Sequence, residues 1–354
     1  MKSARLPIPG AAYHSRETFS RETEKIFGQA WSFLCHKNEI KEDNAYVVRQ
    51  IGTEDVIVVH LGNEEYAAYI NICPHRCAKL VTAVEGNCKG RFVCPYHAWT
   101  FNVQGELIVV PAQEHYLKDL SLDDHRLVAV KCELWNGLLF ANLDRNDSSL
   151  VAALGNFPEY LRDYSHSIEE MELVTTVIMD VAVNWKIIVE NYVEDYHFSF
   201  VHPQTLKVFD HKATQTTPTG DNILVYMPYR QTRPAGPCKY PWATDGGSPQ
   251  GFIWPSMTIQ PAVNHLSIFQ IVPLEPERTV VRIPVYQTPE QKRNWPMDID
   301  ELTVNIHTDM EEDFVICREM QRNTHSSHYR IGVLSRPHEL GIELFANVWW
   351  KYMG

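Results

Sequence analysis

The paired stretches Cys73-Pro74-His75-Arg76 and Cys94-Pro95-Tyr96-His97 decide how this chain folds and what it can hold. Each supplies one thiolate and one imidazole within four residues, on a turn between short apolar runs. Two irons bridged by two sulfides need four protein ligands. A cluster with both thiolates on one iron and both imidazoles on the other requires one Cys and one His from each of two loops. Replacing two thiolates by imidazoles raises the reduction potential, so such a site accepts electrons from a ferredoxin-like donor. A Cys2His2 zinc site is the alternative, but zinc fingers pair Cys with Cys and His with His, and here the pairs are mixed. Cys77 and Cys88 lack a partnered histidine and read as buried or loop thiols.

Outward from these loops, residues 45–143 have the texture of short strands. Gly62-Asn63, Gln104-Gly105 and Asn136-Gly137 each separate two apolar runs, and the last is the strongest hairpin signal because both of its residues tolerate positive φ. This is an all-β module of roughly a hundred residues. Before it, residues 16–31 read as a helix, with Phe19, Ile26, Phe27 and Trp31 near helical spacing. After it, a polar break at 146–149 precedes a strand at 174–183 and a helical segment at 185–201 that stops at Pro203. Residues 211–250, rich in Thr, Pro and Gly, read as loops or a lid. Strands return at 267–272 and 279–287, and a long helix at 302–321 precedes an aromatic C-terminal stretch. The second half is therefore α+β.

The chain has 354 residues, 44% hydrophobic and 21% charged, enough apolar material for a core and too little charge for disorder. A formal charge of −12 leaves no excess of Lys and Arg to neutralise phosphates, which argues against a nucleic-acid partner. No apolar run approaches the roughly 18 residues of a bilayer span, and the first ten residues have no apolar secretory core. Eight cysteines are too sparse for a disulfide scaffold. The expectation is a cytoplasmic enzyme without membrane contact.

The stretch from Cys73 through Cys94-Pro95-Tyr96-His97-Ala98-Trp99, with Phe101 and Gly105, resembles the cluster domain of Rieske non-heme iron oxygenases, with a spacer one residue longer than is usual there. The resemblance implies an all-β Rieske [2Fe-2S] domain plus a helix-grip (START-like) catalytic domain of antiparallel sheet and helices. It divides the chain into 1–34, an N-terminal helical part of the catalytic domain; 35–145, the Rieske domain; and 146–354, the catalytic domain. Cys73, His75, Cys94 and His97 are its expected cluster ligands.

A Rieske cluster only moves electrons. The segment from Asn184 to His202 supplies His197 and His202, which with a distant carboxylate make the two-His-one-carboxylate face of mononuclear Fe(II), open to O2. Five residues of straight helix would splay the two rings by about 140°, so the helix must unwind before Pro203. The carboxylate belongs to the 302–321 helix. There Asp313 lies on the apolar stripe of Leu302, Ile306, Met310, Cys317 and Met320, Asp309 shares that face roughly, and Glu311 and Glu312 point away as solvated acids. The resemblance favours Asp313, because the family's ligand follows a Glu.

The resemblance also assigns Glu194, three residues before His197, as the carboxylate that bridges the iron site to a cluster histidine (His97 here) of a neighbouring subunit. It implies a homotrimer fed from NAD(P)H by a separate flavin and iron–sulfur reductase. Glu at this position resembles the branch acting on carnitine, choline, glycine betaine and stachydrine, although the chain reads Glu194-Asp195-Tyr196-His197-Phe198 where that branch often reads Glu-Cys-Tyr-His-Cys. Quaternary ammonium groups are held against aromatic faces, and Tyr192, Tyr196, Phe198, Phe200, Phe252 and Trp254 are the candidates near the iron. The expected activity is a monooxygenase that hydroxylates or oxidatively demethylates such a compound. Action on a small aromatic compound is the alternative within the class. A Rieske electron carrier without oxygenase activity is the alternative outside it, but it would leave the second half of the chain idle.

Overall fold

The computed structural model describes residues 7–354 except 116–120, 145–147, 163, 165, 204, 207, 231–245, 331 and 337. The chain divides into two compact units, Phe27–Asp147, and Met1–Ile26 together with Ser148–Gly354. The expected boundary near residue 34 moves to 27, because the strand Ser32–His36 pairs with Leu138–Asn142 inside the first of these.

The unit 27–147 is antiparallel β. Its strands are β1 (Ser32–His36), β2 (Ala45–Ile51), β3 (Glu54–Gly62), β4 (Glu65–Ile70), β5 (Glu85–Asn87), β6 (Arg91–Val93), β7 (Thr100–Asn102), β8 (Leu107–Val109), β9 (Ala129–Trp135) and β10 (Leu138–Asn142). Seven of them form one sheet in the order β1-β10-β9-β4-β3-β2-β5, and β6-β7-β8 form a second. The β9–β10 hairpin closes through Asn136 and Gly137, both at positive φ as that turn demands. Tyr46, Ile57, Val59, Tyr69, Phe92, Trp99 and Phe101 fill the core beneath the two Cys-His loops.

The other unit opens with α1 (Arg16–Glu22), capped by Ser15, whose side chain accepts from the Thr18 N–H. The expected helix at 16–31 is thus shorter, giving way to one π turn at Thr23–Phe27. After α2 (Leu150–Leu154) and α3 (Phe157–Tyr160) come β11 (Glu172–Val181), α4 (Trp185–Tyr192) and α5 (Phe198–Val201). The strands β12 (Gln215–Thr219), β13 (Asn222–Pro228), β14 (Gly247–Ile253), β15 (Met257–Pro261), β16 (Leu266–Glu275) and β17 (Arg278–Gln287) follow, then α6 (Pro289–Asn294), α7 (Ile299–Asn323) and α8 (Leu340–Met353). One antiparallel sheet runs β11-β17-β16-β15-β14-β13-β12, with α4 and α7 packed on it. This is the expected α+β, helix-grip arrangement. The expectation of a loop or lid at 211–250 is corrected, since β12, β13 and the start of β14 occupy most of its described residues.

A buried ion pair fixes α4. Glu22 and Lys186 are both fully buried, with Lys186 Nζ 2.7 Å from Glu22 Oε1 and donating also to the Ala12 carbonyl. The indole N–H groups of Trp185 and Trp349 donate to the same carboxylate at 2.9 and 2.7 Å. Three donors, one of them charged, meet this acid and satisfy it, which is the condition for a charge to survive burial. Through this acid, α1, α4 and α8 share one anchor. At the start of α4, Asn184 accepts from the Lys186 N–H, and the Gln321 side chain of α7 accepts from the Asn184 N–H.

Candidate metal centres and the cavity beside them

The two loops of the β unit repeat one backbone pattern. Cys73 N–H donates to Ala78 O and Cys77 N–H to Cys73 O; Cys94 N–H donates to Trp99 O and Ala98 N–H to Cys94 O, all at 2.8–3.0 Å. The fifth residue of each loop turns it at positive φ, Cys77 at 54° and Ala98 at 55°. Cys77 is therefore an exposed turn residue rather than a ligand. Cys73 and Cys94 are buried side by side, and burial, reinforced by the neighbouring thiol, pushes the Cys73 thiol up to about 11. The His75 and His97 rings lie 4.7 Å apart, with His75 stacked on Trp99 at 4.5 Å. Their Nδ1 atoms are buried, and that of His97 has no hydrogen-bond partner. Two thiols and two inward imidazole nitrogens, one orphaned, fit the donor set of a [2Fe-2S] cluster with mixed ligation.

In the other unit α4 ends at Tyr192, and the chain leaves helical geometry before re-entering it for the single turn of α5. His197 and His202 are the residues flanking that turn, and His202 has left the helix (φ −114°, ψ 46°). This is the unwinding that the five-residue spacing demands. One ligand atom each from His197, His202 and Asp313 lie within 4.8 Å of one another. His202 Nε2 is 2.8 Å, and His197 Nε2 3.3 Å, from Asp313 Oδ1, and the Asn191 amide donates to the same oxygen at 3.3 Å. A neutral-ligand pair and one carboxylate on one side, with room beside them, fit Fe(II).

Further carboxylates orient the two rings. Glu194 contacts His197 Nδ1 and accepts from the Tyr196 N–H. Glu312 Oε2 lies 2.7 Å from His202 Nδ1 and accepts from the Thr205 hydroxyl at 2.8 Å. The reading of Glu312 as a solvated acid is thus corrected: its longer side chain reaches round α7 to His202, a contact that the helical stripe does not reveal. Glu311 does point to solvent, paired with Arg318 at 2.6 Å. Asp309 lines the adjoining cavity and is outside the triad. Asp195 faces elsewhere, to His338 Nδ1 at 3.0 Å. Burial works against protonation of His197, but Asp313 and Glu194 outweigh it and carry the imidazole up to about 9. The same two histidines hold Asp313 below its usual range in spite of burial. Such a charge pattern, with three acids around two rings, is one that a divalent cation completes.

Two cavities adjoin the triad. The first, about 610 Å³, lies between the sheet and α7, touching His197, His202 and Asp313. Its aromatic wall is Tyr192, Phe198, Phe209, Tyr229, Phe269 and Trp295. Of the aromatics expected from sequence, only Tyr192 and Phe198 line it. Phe252 and Trp254 are core, packed on Phe345 at 5.9 and 5.8 Å. Tyr196 and Phe200 are exposed and line the second cavity, about 770 Å³, which also holds Glu190 and Glu194. Phe209, Tyr229, Phe269 and Trp295 carry no local signal in the sequence: Phe209, seven residues after His202, bridges Tyr229, Phe269 stands on β16, and Trp295 caps α6.

Residues 157–354, more than half of the chain, match the family described as ring hydroxylating alpha subunit (catalytic domain), and residues 30–131 match the Rieske [2Fe-2S] domain. The chain belongs to the ring hydroxylating alpha subunit family of Rieske oxygenases, whose centres are a [2Fe-2S] cluster and a mononuclear iron. It is 27% identical over 328 residues to the carnitine monooxygenase oxygenase subunit of Acinetobacter baumannii, covering 91% of this chain and 86% of that one. It is 33% identical over 211 residues to the anthranilate 1,2-dioxygenase large subunit of Acinetobacter baylyi, covering 58% of this chain and 45% of that one. The structure of the quaternary ammonium Rieske monooxygenase CntA in complex with its substrate gamma-butyrobetaine superposes with a TM-score of 0.84 at 26% identity, over 98% of this chain and 95% of that one.

Proposed function

We propose that this oxygenase subunit oxidises a methyl group of a small ammonium compound. The observation that carries the reading is the 610 Å³ cavity. Beside six aromatic side chains it is lined by Asp298, Glu301 and Asp309, and among its described residues there is no Lys or Arg. Aromatic faces and carboxylates attract an organic cation. A small aromatic acid would meet these carboxylates, and among the described lining residues no Lys or Arg offsets its charge, an unfavourable burial.

Asp313, His197 and His202 would hold the iron, which supplies O2 activation when bound, and Cys73, His75, Cys94 and His97 would hold the cluster, which supplies electrons singly. Each turnover consumes one O2, two electrons and two protons; one oxygen atom enters the C–H bond and the other leaves as water. A hydroxymethyl group on an ammonium nitrogen then breaks its C–N bond, releasing formaldehyde and the demethylated amine. The electrons derive from NAD(P)H through a separate flavin and iron–sulfur reductase, and the working enzyme is a homotrimer in the cytoplasm. Two apolar surfaces support assembly: Tyr196, Phe200, Ile316 and Met320 are exposed near Glu194, and Ile72, Val93 and Tyr96 near the cluster loops. Among the described residues no helix is long and apolar enough to cross a membrane.

Purified enzyme with a surrogate reductase and a panel of ammonium compounds and aromatic acids tests the reading. Formaldehyde released in step with O2 uptake from an ammonium compound is expected; turnover confined to the aromatic acids would refute it.

A further inference from the structure

The two walls of the 610 Å³ cavity differ in charge. Its acids come from α7 and the residue capping it: Asp298, Glu301 and Asp309. The sheet contributes uncharged polar groups instead. Gln260 and Ser267 stand opposite each other across β15 and β16, and Gln250 lies on β14.

Tyr192, the last residue of α4, reaches towards that wall. Its ring meets Phe269 edge-on at 5.9 Å, and its hydroxyl lies beside Thr258 and Gln260. That hydroxyl is buried, and although the Thr258 and Gln260 side chains stand near it, neither meets it in full hydrogen-bond geometry. Among the described residues lining the cavity, it is the only buried side-chain nitrogen or oxygen without a partner. Buried polar groups are nearly always paired, so an orphan in a ligand cavity marks a partner that the ligand brings. Burial pushes the phenol's ionisation upward, which keeps it an O–H donor at physiological pH. The partner is then an acceptor oxygen. A carboxylate oxygen would enter a cavity that already holds four carboxylates, counting Asp313, and no described Lys or Arg. A hydroxyl oxygen carries no such penalty and can return its own proton to a neighbouring amide oxygen such as that of Gln260.

We propose that the Tyr192 hydroxyl is a specificity-determining hydrogen-bond donor, selecting ammonium substrates that carry a hydroxyl group over those that carry a carboxylate or no oxygen. The proposal rests on the ammonium reading above and sharpens it.

The test compares wild-type holoenzyme with Tyr192→Phe on choline, ethyltrimethylammonium and glycine betaine, three trimethylammonium probes that differ in the end away from nitrogen. Formaldehyde release and the iron content of each preparation are measured. In the wild type kcat/KM for choline is expected to exceed that for ethyltrimethylammonium by roughly tenfold, as one hydrogen bond would give. Tyr192→Phe is expected to erase that ratio by raising KM for choline more than for ethyltrimethylammonium. A wild type that treats all three alike, or that prefers glycine betaine to choline, overturns the proposal and leaves the ammonium reading standing. A variant that loses activity equally on every probe also overturns it, showing a structural role. A wild type that oxidises none of the three, but does oxidise an aromatic acid, overturns both.

Discussion

Glu312 and Asp313 are adjacent on α7, yet one touches the space where iron would sit and the other only the far nitrogen of His202. Their substitutions should therefore separate. In the proposed iron site Asp313→Ala removes one of three ligands, and should abolish both bound mononuclear iron and turnover while the visible spectrum of the cluster persists. Glu312→Gln only frees the His202 ring, and should weaken iron binding by roughly 10–100-fold without abolishing it; equal losses in the two variants, by metal titration, would contradict the assignment. Glu190 shows a different kind of cost. It is half-buried beside the 770 Å³ cavity, receives the Tyr13 hydroxyl at 2.6 Å, and has its carboxyl pushed up to about 7 by desolvation. The native state then holds a proton that the unfolded chain releases near 4.5, so stability is lost as pH rises through that window. Glu190→Gln cannot ionise. In urea unfolding it should match the wild type near pH 4.5 and exceed it by roughly 3 kcal/mol at pH 8; parallel stability curves would show that the carboxyl titrates normally.

The link from Val193 to His197 decides where Glu194 and the first ligand point, and α8 packs directly on it. A Cβ built on Gly341 would lie 1.9 Å from the Val193 carbonyl oxygen. Backbone cannot yield as a flexible side chain does, so Gly341→Ala should cost at least about 1–3 kcal/mol and lower iron occupancy, both readable from thermal unfolding with and without added Fe(II). An unaltered midpoint would mean that α8 does not brace the link. Elements of the two units were unequally legible in the sequence. The cluster loops, the Asn136-Gly137 hairpin and α7 could be read because turn chemistry, ligand spacing and an apolar stripe are local signals. Strands β12 to β15 could not, because strands that face a cavity put Thr, Gln and Ser where alternation calls for apolar residues, and Thr216, Pro218, Gly247 and Pro249 look like loop. The histidine pair and Asp313 were legible, whereas Glu312 and most of the aromatic wall depended on side-chain reach and strand pairing that no sequence period encodes.

At the scale of the whole molecule, the proposed electron path joins two centres on different subunits. The cluster loops and the Glu194 surface each carry exposed apolar side chains, as surfaces do when another chain covers them. If electrons pass between protomers, a chain without iron and a chain without a cluster should complement each other; if they stay within one protomer, no mixture can work. Co-expression of Asp313→Ala with a His97→Ala variant puts this to the test, after separate measurements of iron and visible absorbance confirm that each chain keeps its remaining centre. Random mixing in a closed ring of three predicts about a quarter of the wild-type rate of formaldehyde release, and Glu194→Gln added to the cluster-deficient chain should abolish it. Mixed rings, verified by mass, that stay inactive would contradict the account at its centre.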